Sequence, residues 1–439
     1  MKRFITDGKN NLIEEQIEFP ALNGWVPNQL KISDKISYQK ILGFGGALTE
    51  ASAYVWSKMD DENKDKLLDL YFGGKNSGYN FCRLHIQSCD FALGNYAYIE
   101  DPSDSELKTF SLERDKKYII PFVKAAVAKN PDIEFLASPW SPPAFMKTNN
   151  DMNHGGKLKE EFMEMWANVI AKYVAEYRKE GINITRLTVQ NEPAATQTWD
   201  SCIYSAEEER NFACEYLETA LKKASLSDVK INIWDHNKEL LVERAIISLA
   251  TEKAREKISG IAFHWYTGDY FEAVQEVSRM FPDKELIFTE GCVEYSVDKN
   301  GSEISRAERY AHDMIGNLNS GMNAFMDWNI ILDEKGGPNH VGNFCDAPVM
   351  CNYEKNSFDV HKSYYYIRHF SSFIKKGAVR IFTTRSNDKI EVCAFKNPDG
   401  SKVAVILNKT DVQSQFNLIS DEHCAQLDAP AHSIQTVVF

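Results

Sequence analysis

Two apolar runs in this chain end on a carboxylate. Val189–Pro193 (VQNEP) delivers Glu192 and Phe288–Cys292 (FTEGC) delivers Glu290, with Pro193 blocking any continuation of the first run. A charge at the tip of a buried strand costs free energy unless it is paired, solvated or used. Singly, each carboxylate could close a rim salt bridge. Two of them among Trp, Tyr, Asn and His suit acid/base chemistry, in which one carboxyl protonates a departing oxygen while the other attacks carbon or activates water. Cleavage of a glycosidic bond needs that arrangement.

Other chemistries lack their residues. There is no H-E-x-x-H, and the ten His do not cluster at ligand spacing, so neither a metal nor any other cofactor is expected. Gly43–Leu48 (GFGGAL) lacks the third Gly of a dinucleotide loop and no P-loop Lys follows it, so its glycines read as a tight strand end where backbones approach closely. No G-x-S-x-G is present.

The elements that must position the two carboxylates are eight short β-prone runs, most of them alternating with helical stretches. They are Ile41–Leu48, Tyr79–Ile86, Ile133–Ser138, Ile184–Gln190, Val229–Trp234, Ile258–Trp265, Glu285–Thr289 and Met322–Trp328. Between the third and fourth, residues 160–180 carry Trp166, Val169, Ile170, Tyr173, Val174 and Tyr177 at helical spacing, and Gly181 serves as a stop. Eight strand–helix units predict a (β/α)₈ TIM barrel, an α/β fold whose site lies at the C-terminal strand ends. The tips then converge on one face: Glu50, His85, Trp140, Asn191 with Glu192, Asp235 with His236, Tyr266, Glu290, and Trp328 with Asn329.

After about Ser372 the pattern becomes short strands, with Asn397–Gly400 (NPDG) as a hairpin turn. That tail is too short for a sandwich alone. A strand over Asn11–Phe19 is expected to complete a flanking antiparallel β-sandwich built from both termini. The expected boundaries are N-terminal strands over 1–39, the barrel over 40–371 and the C-terminal β-domain over 372–439.

The net charge of −13 argues against nucleic acid or an anionic membrane surface as partner, and no apolar run reaches membrane-spanning length. Aromatics make up 12% of the 439 residues, and their flat faces suit sugar rings. Nine scattered cysteines without a C-x-x-C fit reduced thiols, and the N-terminus lacks the apolar core of a signal peptide. A cytoplasmic protein is therefore expected, with secretion after signal removal as the alternative.

Seven motifs in order, GFGGALTEAS, RLHIQSCDFALGNYAY, ASPWSPPAFMKT, VQNEP, HWY, TEG and WNIILDEKGGPNHVGNF, resemble glycoside hydrolase family 30, especially its glucocerebrosidase-like branch. The resemblance runs from about Leu42 to Phe370 and implies a retaining β-glycosidase acting through a covalent glycosyl-enzyme. On it, Glu192 is the general acid/base and Glu290 the nucleophile. Asn191 binds the sugar 2-hydroxyl, Trp140 and Trp328 bind the sugar, His264 and Tyr266 lie near the nucleophile, Arg83 holds it by charge, and Asn343 lines the pocket. Glu50 stands where the branch carries a sugar-binding Asp, which makes fucose or xylose alternatives to glucose. The implied substrate is a small carbohydrate or a glycolipid. An endo-β-1,6-glucanase and a non-catalytic carbohydrate-binding barrel are the competing readings.

Overall fold

The computed structural model describes residues 1–439. Eight parallel strands close into a barrel, numbered in chain order: β1 (Gly43–Ala47), β2 (Phe81–Ile86), β3 (Glu134–Pro139), β4 (Ile184–Thr188), β5 (Lys230–Asn237), β6 (Ile258–His264), β7 (Glu285–Glu290) and β8 (Ala324–Asn329). All eight expected runs are barrel strands. The helix between β3 and β4 spans Met163–Lys179 and buries Trp166, Val169, Ile170, Tyr173, Val174 and Tyr177 against the barrel. Gly181, at φ +83°, ends it.

The barrel interior is layered. At its N-terminal mouth Arg186 bridges Glu134 (2.6 Å) and Glu285 (2.8 Å), closing that end with ion pairs. Above lies an apolar plug of Phe81, Leu136, Ile287, Ala324 and Met326. Above that, toward the C-terminal strand ends, comes a polar layer of Arg83, Ser138, Thr188, Asp235 and Thr289, every member fully buried. Chemistry in this fold collects at the C-terminal face, so the polar layer forms the floor of a site.

The glycine-rich β1 is explained by packing. A Cβ on Gly45 would lie 1.9 Å from the carbonyl oxygen of Phe81, and one on Gly46 would lie 2.3 Å from Ile330 Cγ2. β1 is squeezed at these two positions, and neither has room for a side chain.

The second domain is one nine-stranded sheet rolled into a sandwich. Its order is Ile13–Gln16, Lys2–Thr6, Ser433–Val438, Lys402–Asn408, Ile390–Lys396, Val379–Arg385, Gln29–Lys40, Ser414–Ser420 and His423–Ala429. All pairs are antiparallel except Gln29–Lys40 with Ser414–Ser420. Both termini contribute, as expected, but the strand expected over Asn11–Phe19 is only the four-residue edge Ile13–Gln16. The larger N-terminal contributions are Lys2–Thr6 and Gln29–Lys40. The second of these (QLKISDKISYQK) is polar and largely exposed past Ile32, so it lacks the apolar signal of a strand.

The middle strands are buried on both faces. Val392, Ala394, Ala404 and Ile406 face the sandwich interior, whereas Cys393, Phe395, Val403, Val405 and Leu407 join the barrel core. The two domains thus share one apolar junction. No helix is long and apolar enough to cross a membrane.

Gly45→Ala forces its methyl into backbone that cannot yield. The expected outcome is a loss of about 3 kcal/mol or more, the upper range for overpacking, read as a lower urea midpoint with an unchanged m value.

Candidate active site

Three barrel strands break register at their C-terminal ends: β5 between Trp234 and His236, β7 between Phe288 and Glu290, and β8 between Asp327 and Asn329. A bulge of this kind re-aims the side chains beside it. Trp234 (φ +73°), Asp235 (φ +54°) and Glu192 (φ +48°) also adopt the left-handed backbone region, uncommon without glycine and costing on the order of 1–3 kcal/mol each. Cross-strand bonds hold Glu192 in place: Asn191 N–H donates to Pro139 O (2.8 Å) and Glu192 N–H donates to Asp235 O (3.0 Å).

Arg83, fully buried on β2, is the hub of the floor. Its Nη1 donates to Glu290 Oε2 at 2.6 Å, and its Nη2 donates to Asp235 Oδ2 at 2.7 Å and Asn191 Oδ1 at 2.9 Å. Ser138 Oγ accepts from Nε and Nη2 at 3.2 Å. The guanidinium also sits 4.7 Å from the Trp140 ring and 5.5 Å from the Trp328 ring, and these two indoles stack at 5.3 Å. Asp235 accepts further bonds from Ser138 (2.9 Å), Thr188 (2.7 Å) and Thr289 (2.5 Å) and meets His264 Nε2 at 3.0 Å. Burial alone would raise the Asp235 carboxyl, but the charge of Arg83 and the bond from His264 outweigh it and hold Asp235 far below the usual range.

Glu192 and Glu290 face each other in one pocket. Together with His264 they bring ligand-type atoms within 4.8 Å of one another. Glu290 is 7% exposed, and Tyr266 Oη donates to its Oε1 at 2.8 Å. Glu192 meets His264 Nδ1 at 3.3 Å, accepts from Gln197 Nε2 at 3.2 Å and lies 3.8 Å from His236 Nε2.

The proton inventory follows from these contacts. Burial disfavours a charged His264, yet Glu290, Asp235 and Glu192 around it push it up to about 9. Burial likewise raises Glu192, but the bond from His264 and the charges of His236 and His264 bring it down to about 2. Burial and the nearby charge of Glu192 raise Glu290 above its ordinary value, opposed by His264, Arg83 and Tyr266. Taken alone, these directions put the more basic carboxyl at Glu290. The bonding favours the opposite distribution once a proton moves. Both groups touching Glu290 donate to it, and Arg83 can never accept a bond in return. Glu192 instead touches a ring nitrogen that gives or takes a proton. His264 and Glu192 therefore share one proton, which rests on His264 in this geometry.

Glu192, His264 and Glu290 form a donor set of the metal-binding type, but both nitrogens of His264 are taken by carboxylates. A ligating histidine must be neutral with a free lone pair. With the Arg83 cation 2.6 Å from Glu290, the cluster is built to hold a proton.

Of the site residues expected from sequence, Glu192, Glu290, Asn191, Trp140, Tyr266, Trp328 and Asn343 line a cavity of about 330 Å³. Arg83 and His264 lie just behind its wall. Glu50 is a correction. β1 ends at Ala47 and a helix, N-capped by Thr49, begins at Glu50 itself. Both Glu50 oxygens are taken by Arg114 (2.8 and 3.1 Å) and by the Leu93 N–H (2.8 Å), so this carboxylate anchors the β2–β3 excursion and does not line the cavity. Asp90, from the same excursion, does line it, accepting from Asn343 Nδ2 at 3.2 Å. Burial, then the charge of Glu290, pushes Asp90 well above the ordinary range.

Sequence reasoning also left Gln197, His236 and Trp199 of the wall, and Asp235 of the floor, without roles. Asp235 and His236 were visible as a strand tip, but their opposite aims come from the β5 bulge. Asp90 lies inside the second of the seven motifs, four residues past the end of β2. Gln197 and Trp199 sit in an irregular loop with no pattern to mark them.

Such a barrel, with paired carboxylates over a buried Arg and tryptophan faces in one pocket, defines a glycoside hydrolase. The chain belongs to glycosyl hydrolase family 30: residues 41–374 match the family's TIM-barrel domain and residues 377–437 its beta sandwich domain. It is 34% identical to the lysosomal acid glucosylceramidase of Mus musculus, over 93% of this chain and 83% of that protein. It is 27% identical to an endo-1,6-beta-D-glucanase of Neurospora crassa, over 87% of this chain and 82% of that one. The crystal structure of SrfJ from Salmonella typhimurium superposes with a TM-score of 0.97 at 40% identity, covering 100% of this chain and 99% of that one.

Arg83→Met leaves the buried Asp235 and Glu290 without their cation. The expected result is a loss of about 3–5 kcal/mol of stability, measured by urea unfolding. In the more conservative Arg83→Lys, a compact ammonium cannot span the same partners, so turnover is expected to fall while the fold persists by circular dichroism.

Proposed function

We propose that this chain is a retaining β-glycosidase that removes a terminal sugar, β-glucoside-like, by double displacement. The observation that carries the reading is the approach of Glu192 and Glu290 oxygens to within 4.8 Å across one pocket. Retaining pairs stand about 5–5.5 Å apart, whereas inverting pairs leave about 6.5–9.5 Å for a water. Glu290, held ionised by Arg83 and Tyr266, attacks the anomeric carbon. Glu192, having taken the shared proton from His264, gives it to the leaving oxygen. In the second step Glu192 removes a proton from water, which cleaves the ester at Glu290 and regenerates both groups.

Asn191 has its Oδ1 engaged by Arg83, which leaves its Nδ2 as donor to the 2-hydroxyl, a contact that strengthens as charge develops. Trp140 and Trp328 offer apolar ring area to sugar C–H groups. Asp90 and Asn343 are placed to bond distal hydroxyls. With Glu50 withdrawn to Arg114, its extra methylene no longer crowds the pocket against a sugar that carries a 6-hydroxyl. A cavity of about 330 Å³ suits one hexose with part of its aglycone and favours exo action.

A second reading, endo-acting β-1,6-glucanase, is favoured by the half-buried Trp199 in the cavity wall, an added surface for a neighbouring sugar. Aryl β-glucoside, β-fucoside and β-xyloside assayed beside β-1,6-linked gluco-oligosaccharides separate these substrates.

Treatment with a 2-fluoro-β-glucoside bearing a good leaving group is expected to esterify Glu290, identified in the labelled peptide. Glu290→Gln is expected to lose about 10⁴-fold or more in kcat. Saturable sugar binding without a label on Glu290 would instead support a carbohydrate-binding barrel.

The shared proton has a signed consequence for pH. In the native protein it is lost near the His264 value of about 9, so the basic limb of kcat/KM is expected there. His264→Asn removes the cation that depresses Glu192, whose own value then rises from about 2 toward the ordinary carboxylate range. The basic limb should move to lower pH. A limb that stays in place would mean the leaving-group proton comes from another residue.

A further inference from the structure

Of the nine cysteines, Cys292 and Cys345 bring sulfur to sulfur, with their Sγ atoms 3.3 Å apart and both thiols free. They come from the segments after β7 and β8, which meet as a short antiparallel ladder pairing Val293 with Asp346 and Glu294 with Cys345. Both cysteines line the catalytic cavity, Cys292 at 7% exposure and Cys345 at 1%. The pair also touches the site's chemistry: Cys292 Sγ lies 3.5 Å from Tyr266 Oη, the hydroxyl that donates to Glu290. On the other side Asn343, two residues before Cys345, bonds Asp90.

We propose that Cys292 and Cys345 form an oxidisable dithiol in the wall of the active site, closed to a disulfide by a peroxide. Cys292, the more exposed, is met first. Its thiolate attacks one peroxide oxygen, the O–O bond breaks, water leaves and a sulfenic acid remains. The Cys345 sulfur then attacks the Cys292 sulfur and displaces a second water. Two S–H bonds are lost, one S–S bond forms, and hydrogen peroxide is reduced to two waters.

Closing the sulfurs from 3.3 Å to about 2.05 Å shifts the sulfur that touches Tyr266 and ties together the two segments that wall the cavity. The disulfide itself depends only on these thiols. Its effect on turnover rests on the glycosidase reading.

The test treats the full-length protein with hydrogen peroxide, alkylates the remaining thiols with iodoacetamide and maps peptides without reductant. A linked Cys292–Cys345 peptide is expected, with the other seven cysteines alkylated. Hydrolysis of an aryl β-glucoside is expected to fall on the order of tenfold to a hundredfold, as for a displaced reacting group, and to return with dithiothreitol. In Cys345→Val the linked peptide and the dithiothreitol-reversible loss should both vanish, whereas Cys424→Ser, in the β-domain, should respond like the native protein. Alkylation of both Cys292 and Cys345 after peroxide overturns the proposal, whereas a linked peptide with unchanged turnover overturns only the effect of the disulfide on the site. A linked peptide in a chain that never cleaved a glycoside, even when reduced, would leave the thiol site standing and overturn the glycosidase reading.

Discussion

The site depends on one buried cation. Arg83 carries its guanidinium into the barrel with no exposure to water and spends each face of its fork on a different partner: Glu290, Asp235, Asn191 and Ser138. A lone charge there would cost several kcal/mol. Two carboxylates and two indole faces offset that cost, and the same contacts set the geometry. Asn191 has its amide orientation chosen by Arg83, Glu290 is held as an acceptor, and Asp235 stays ionised to orient His264. Arginine suits the position because its donors are planar and fixed.

Around that cation the charges almost balance. Arg83 and a protonated His264 face Asp235, Glu192 and Glu290, two positive against three negative, so one further proton is readily bound by the cluster. Where it resides is decided by bonding more than by burial, since Asp235 and Glu290 are buried and Glu192 nearly so. Glu290 is fixed by the permanent donor Arg83, while Glu192 meets an imidazole nitrogen able to exchange a proton with it. Two residues of one type thus acquire different roles from their neighbours, a division of labour set by environment.

Local strain accompanies this arrangement. Glu192, Trp234 and Asp235 hold left-handed backbone, and three strands bulge at the rim, all at the C-terminal face. The N-terminal mouth is closed by the Arg186 ion pairs, and the register shifts near it, at Phe135/Leu136 on β3 and Ile231/Asn232 on β5, involve no left-handed residue. The two-sided strands of the sandwich extend the barrel core and tie the two domains together, and packed cores of this kind are stiff. Such rigidity lets the opposite face tolerate strained residues without relaxing them.

By itself the sequence determined the eight barrel strands and the pairing of Glu192 with Glu290, because apolar runs and their polar tips are local properties that survive in one dimension. The strand Gln29–Lys40 carries no such local mark: it is polar, and only its partners make it a strand. Tertiary structure alone decided which tips point into the cavity. Glu50 is a strand-tip carboxylate like the others, yet Arg114, brought back by a long excursion, claims it, while Asp90 enters from that same excursion. Asp235 and His236 are neighbours in the chain that serve the floor and the wall, separated by a bulge no alternation pattern encodes. Side-chain direction depends on register and on partners distant in sequence, so it is settled only when the barrel closes.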